Sequence, residues 1–197
     1  MPVMLNFSHG SHRFNGKAIK TVHAAVALLL VLLSHDGLAQ VNAIHKDPAE
    51  MVEKYLSLDR HGARLEAMSF ESLKPYITWK EEPAWPHVVV ILDFEVMYDI
   101  EQWEVINVLE VVIPVKFRVL GSMEWETAGF VPGGKVEEVR FHVTGSVGRW
   151  RIVEPMLPPH VGQKRLIGFV RQAILDEKDP ARQARLGELL AALRKAK

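Results

Sequence analysis

The chain has no cysteine, so no disulfide can staple the fold and no thiol is present to carry a lipoprotein anchor. It also lacks an excess of either charge: 24 basic residues stand against 24 acidic ones, which excludes recruitment of nucleic acid by bulk charge. Its histidines do not follow metal-binding spacing such as His-Glu-x-x-His, so no metal or other cofactor is expected. Internal repeats are absent. Long apolar runs are missing too: the longest, 24–33, has ten residues, about half of the roughly 20 that a membrane-spanning helix needs.

What that short run does fit is an export signal. The first twenty residues carry Arg13, Lys17 and Lys20 with no acid, the run Ala24 to Leu33 follows, and Ser34-His35-Asp36-Gly37-Leu38-Ala39 closes the segment with small residues. Cleavage is expected after Ala39, with Gly37 at the −3 position, or alternatively after Ala43. A retained anchor is the rival reading, opposed by the run's length and by His23 and Asp36 at its ends. The expected location is therefore the periplasm or the exterior. Removing 1–39 takes away three bases and one acid, Asp36, leaving a formal charge of −2 on about 158 residues, enough for one domain with its own core.

The mature chain opens with a helix start signal. Asp47 can accept free amide hydrogens, Pro48 suits the first helical position, and Glu50 stands three residues after the cap. Met51, Val52, Tyr55 and Leu56 recur at helical spacing, and Gly62 marks the stop. Leu65, Met68, Phe70 and Leu73 predict a second, shorter helix ended by Pro75. Residues 78–87, with Trp79 and Trp85 among prolines, read as a loop.

From there the period changes to two. Leu92, Phe94, Val96, Tyr98 and Ile100 form one predicted strand face, opposed by Asp93, Glu95 and Asp99. Trp103, Val105, Leu109, Val111, Ile113, Val115, Phe117 and Val119 predict one long strand whose apolar face is broken only by Asn107. Pro114 implies a bulge or a change of partner within it. Met123 and Trp125 share a further strand face, Pro132-Gly133-Gly134-Lys135 reads as a turn, and Val139, Phe141 and Val143 lie on the next strand. A last hairpin turns between Gly145 and Gly148. After Pro159, Leu166, Ile167, Val170, Ala173 and Ile174 predict an amphipathic helix. Asp179-Pro180 caps another, with the stripe Leu186, Leu189, Leu190 and Leu193.

Two N-terminal helices, a curved antiparallel meander and a closing strand of the form Gly148-Arg149-Trp150-Arg151-Ile152, preceded by Phe141-His142-Val143-Thr144, resemble the NTF2-like, or cystatin-like cone, superfamily over residues 47–155. The resemblance implies an α+β fold, with N-terminal helices packed on a curved antiparallel sheet. The organisation expected is a leader over 1–39, an NTF2-like domain over 40–160 and a C-terminal helical extension over 161–197. Because that superfamily contains isomerase-like and dehydratase enzymes as well as binding domains, the fold leaves function open.

An enzyme of this type would need an acid or base on the cone's apolar faces. The polar groups read there are Tyr98, Asn107 and Thr127, with Tyr55 on the first helix, and none is a general base. The expectation is therefore an exported, non-enzymatic binding domain for a small apolar ligand or a protein partner, a homodimer among the options. Its candidate contacts are Tyr55, Trp79, Trp85, Tyr98, Trp103, Asn107 and Trp125. The alternatives are an atypical enzyme of the same cone, or an envelope-associated interaction domain whose basic last helix, with Arg182, Arg185, Arg194 and Lys195, is its contact.

Other features read as structural. Gly129 to Lys135 has phosphate-loop spacing, but Val136 stands where serine or threonine would hold magnesium, and a strand follows instead of a helix. The carboxylates Asp93, Glu95 and Asp99 read as a solvated strand face, the mature histidines as isolated surface residues, and Ser146 as part of a turn.

Overall fold

Asp47 starts the first helix as its side chain suggests, accepting a 2.8 Å hydrogen bond from the Ala49 amide ahead of α1 (Pro48–Arg60). The helix buries Met51, Val52, Tyr55, Leu56 and Asp59, and ends where Gly62 takes φ +84°. This is a computed structural model, describing residues 47–65, 69–146 and 148–197. The expected leader lies outside the described residues. Among those residues, no helix is long and apolar enough to cross a membrane.

From Ser69 on, the described part of the predicted second helix is not α-helical. It holds two 3-10 turns, Ser69–Ser72 and Lys74–Tyr76, with Pro75 inside the second. Proline has no amide hydrogen for an α-helical ladder, and the short turns instead drop Leu73 and Ile77 into the core. The chain then runs as a loop to β1 (His87–Val96).

The sheet comprises β1, β2 (Glu104–Asn107), β3 (Glu110–Glu124), β4 (Gly129–Ser146), β5 (Arg149–Glu154) and β6 (His160–Gly162). Its order is β5-β4-β3-β1-β6, with β2 pairing to β3 beside β1. All pairs are antiparallel except β1 with β6. The fold is the expected α+β type, with a strongly curled, half-barrel sheet. Helix α1 touches β5 at one end of the strand order and β1 and β6 at the other, so the sheet wraps around it.

The strand boundaries differ from the sequence pattern in two places. The predicted strand over 103–119 is broken by a tight hairpin at Val108 and Leu109, which separates β2 from β3. Near Pro114 the partner does change: β3 pairs with β2 up to Val112 and with β1 from Val115. Residues 132–135 are not a turn but part of the 18-residue β4, whose hairpin from β3 turns at 125–128 instead. Gly121 makes that path possible. It has φ +150°, and a Cβ there would lie 2.3 Å from the Val131 carbonyl oxygen.

Bulges decide which side chains turn inward. Leu92 and Leu120 drop out of the β1–β3 register, so Leu92 is exposed while Phe94 and Val96 share the inner cluster with Ile91. On the inner side Tyr55, Phe117, Phe141, Ile113 and Ile152 are fully buried, each worth about 1.5–3 kcal/mol in transfer free energy. Adjacent Val90 belongs to a second cluster with Val88, Leu120, Met123 and Val161. Helices α2 (Gln163–Asp176) and α3 (Pro180–Lys195) close that cluster with Leu166, Val170, Leu189 and Leu193. Gln163 donates to the Leu193 and Ala196 carbonyls at 2.7 and 2.9 Å, tying the end of α3 to the start of α2.

Candidate functional site

A buried charge pair holds the last strand in place. Asp59 on α1 accepts from Arg64 through both oxygens, at 2.8 and 2.6 Å. The same carboxylate accepts the His160 amide hydrogen at 2.9 Å. Arg64 also donates to the Leu157 and Pro158 carbonyls, at 2.7 and 3.1 Å. With both side chains essentially inaccessible, the geometry satisfies the charges in place of water. Burial pulls the Arg64 guanidinium down, but the charge and hydrogen bonds of Asp59 outweigh it and the net shift is upward. Glu82, 3.6 Å from Arg64, is pushed up by its own burial, partly opposed by that arginine.

This lock presents His160 on the inner side of the sheet. The residue pairs with Val89 of β1, its ring centroid lies 4.6 Å from that of Phe117, and it is 5 % exposed. The reading of the mature histidines as surface residues is corrected here: parallel pairing of β6 with β1 carries this one inside. Nδ1 lies 2.8 Å from the Pro158 carbonyl oxygen. A carbonyl only accepts, so Nδ1 carries the hydrogen and Nε2 of the neutral ring holds the lone pair. Burial, the largest influence, holds the imidazole below its ordinary pKa despite the opposing charge of Asp59.

His160 borders a hollow of about 350 Å³, together with Val89, Val119, Ser122, Val131, Lys135 and Glu137. Register explains the grouping: Lys135 pairs with Val119 and Glu137 with Phe117, so both project from the face that carries the inner core. Lys135 and Glu137 also form a 2.9 Å ion pair. The result is a hollow of mixed character, with valines on one side and one buried neutral imidazole, Ser122 and a charged pair among its polar lining, capable of orienting a small molecule or accepting a proton from it.

The residues proposed from sequence are not gathered there. Tyr55 sits in the filled core, edge-on to Trp79 and Phe141 with centroids 6.2 and 6.5 Å away, and burial drives its hydroxyl pKa upward. Trp79 is buried, its indole donating to the Val153 carbonyl at 2.9 Å. Trp85 is half-buried with an indole nitrogen that is shielded from solvent and has no acceptor. Trp103 donates to the Met97 carbonyl at 2.6 Å and packs on the inner core.

Tyr98 and Asn107 are exposed, not on the inner face. Tyr98 donates to Glu53; burial and that carboxylate raise its pKa. Asn107 shapes the β2–β3 hairpin, accepting from the Leu109 amide and donating to Glu110, both at 2.9 Å. Thr127 accepts from the Gly129 amide in the β3–β4 turn. Trp125 packs edge-on against Phe169, 6.1 Å between centroids. It borders a separate groove of about 690 Å³ between that turn and the α2–α3 pair.

The groups that sequence reasoning missed are Asp59, Arg64 and His160. Asp59 carried a usable signal, a carboxylate on the apolar stripe of α1 eight residues after Met51. His160 carried none, since a three-residue strand is too short to alternate. Comparison of the chain with protein-family models, with curated proteins and with solved structures finds no match in any of the three.

Proposed function

We propose that this is an exported, non-enzymatic binding domain of NTF2-like architecture that takes a small, largely apolar ligand in the hollow beside His160. The observation that carries the reading is the committed Nδ1 of a neutral, buried imidazole, which leaves Nε2 as a hydrogen-bond acceptor at a recess whose apolar side is formed by Val89, Val119 and Val131. A ligand with an apolar body and one hydroxyl or amide donor matches that lining.

Mass spectrometry of material retained by the protein from its native compartment identifies the ligand. Amide-shift mapping then locates it: shifts are expected at Val89, Val119, Ser122 and His160. His160→Phe should weaken binding by about tenfold, the effect of one lost buried hydrogen bond. Shifts centred on Trp125 and Phe169 would move the site to the other groove and overturn the assignment. Turnover of the retained compound with a pH profile removed by His160→Phe would replace the binding role with general-base catalysis.

A second reading, association with another copy of the chain through β2, is favoured by an unusual concentration of exposed apolar residues. Ile100, Val105, Ile106, Val108 and Leu109 are all at least half exposed, and among the described residues β2 pairs only with β3. Two copies of Glu104–Asn107 aligned antiparallel about a twofold axis place Glu104 opposite Asn107 and Val105 opposite Ile106. No like charges then face each other. Sedimentation velocity should show a dimer that Ile106→Lys converts to monomer; a wild-type monomer at about 100 µM rules this out for any dimer tighter than that.

A further inference from the structure

A third cavity, of about 470 Å³, lies where the end of α1 meets the start of α2, and it shares no lining residue with the hollow at His160. Arg60, Arg118, Lys164 and Arg165 border it, from three different elements. Among its described lining residues Asp93 is the one carboxylate, and that acid is already engaged: Arg118 holds it through a two-pronged ion pair.

The cations are placed by the fold. Leu92 is the bulged residue of β1, and its carbonyl accepts from Arg60 at 3.2 Å. The stem of Arg60 lies against Gly162, where a Cβ would come within 3.1 Å of it. Arg165 donates to the His61 carbonyl at 3.0 Å and crosses Gly62, where a Cβ would meet its Nε at 3.1 Å. Two glycines thus make room for two arginine stems at one cleft. Arg60, Arg118 and Lys164 together outnumber Asp93 as charges, and converging like charges cost free energy that an anion offsets. The first turn of α2 reads Gln163-Lys164-Arg165, with no acid where the helix dipole favours one.

We propose that this cleft binds a phosphate monoester, its phosphoryl oxygens held by Arg60 and Lys164 and its organic part resting on the exposed side chain of Leu92. Fork-shaped guanidinium donors match phosphoryl oxygens, and the cavity is larger than inorganic phosphate alone requires. The monoester can belong to a soluble metabolite or to a lipid headgroup.

The test titrates the full chain with phenyl phosphate and with inorganic phosphate at constant ionic strength, reading the amide shifts of Arg60, Gln163, Lys164 and Arg165. Saturable shifts are expected below about 10 mM, tighter for phenyl phosphate. Lys164 is exposed, so Lys164→Gln should leave the thermal midpoint unchanged and weaken binding roughly fivefold, one partly screened charge-assisted bond being lost. Lys164→Glu should abolish it. In parallel, the chain is sedimented with phosphatidylcholine vesicles with and without phosphatidic acid. Phosphate binding without vesicle binding assigns a soluble ester, and phosphatidic-acid binding lost in Lys164→Glu assigns a headgroup. Absence of saturable shifts, or any binding that Lys164→Glu leaves unchanged, overturns the proposal.

Discussion

Asp59 and Arg64 form a two-pronged buried ion pair whose carboxylate also accepts the main-chain hydrogen of His160, 101 residues along the chain. One side-chain pair therefore fastens α1 to the segment that leads into β6. Because removing one member of such a pair strands the other without solvent, Asp59→Asn is expected to cost about 3 kcal/mol. Arg64→Met should cost a similar amount. The double variant should lose clearly less than the sum of the two, since the strandings share one cause. Urea denaturation followed by circular dichroism measures all three; strict additivity would show the pair to be uncoupled.

Stability should fall as the pH is lowered through the range below about 6.5, the ordinary histidine value, and His160 should account for part of the fall. Its folded pKa is depressed, chiefly by burial. The unfolded chain therefore takes up a proton first as the pH drops, and stability is lost from the unfolded value down to the folded one. Asp59 and Glu137 favour the protonated ring and Arg64 opposes it, without reversing the direction. The difference in unfolding free energy between pH 7.5 and 5 should shrink in His160→Phe. An unchanged difference would remove His160 from the linkage.

Gly121→Ala should destabilise by at least about 2 kcal/mol. The obstacle is backbone: the added carbon would lie 2.3 Å from the Val131 carbonyl oxygen, at a φ of +150°. Gly168→Ala, on an exposed helical position with no atom within 4 Å of the added carbon, should instead gain a few tenths to about 1 kcal/mol from helix propensity. Thermal midpoints of the two variants should move in opposite directions.

Trp85→Phe should alter stability by less than about 1 kcal/mol. The indole nitrogen is buried without an acceptor, so losing part of the ring's apolar surface is offset by removing an unsatisfied donor. Trp79→Phe, which gives up the bond to Val153 and also leaves a smaller ring in the core, should cost more, about 2 kcal/mol. Comparable losses for the two would mean that the Trp85 nitrogen has found a partner.

Local chemistry made much of the fold legible. Asp47 and Asp179 cap their helices in the structure through the same side-chain bonds their sequence positions imply, because a cap is decided within four residues. The alternation from Val111 to Val119 marks an inner face for the same reason, and Gly148 turns the final hairpin at φ +74°. The exposure of Tyr98 and Asn107 was not legible, since the hairpin at Val108 and Leu109 interrupts a pattern that alternation alone would continue.

The sequence by itself thus determined where α1 and α3 begin and which residues of β3 alternate. Tertiary structure alone decided how those faces were used. The slips at Leu92 and Leu120 depend on the match between two strands, not on either strand's composition. The parallel pairing of His160 with Val89 joins residues far apart in sequence. The hollow beside His160 and the cationic cleft between Arg60 and Lys164 exist for that reason: each is assembled from elements that meet only after the sheet has curled around α1 and the chain has returned along β6.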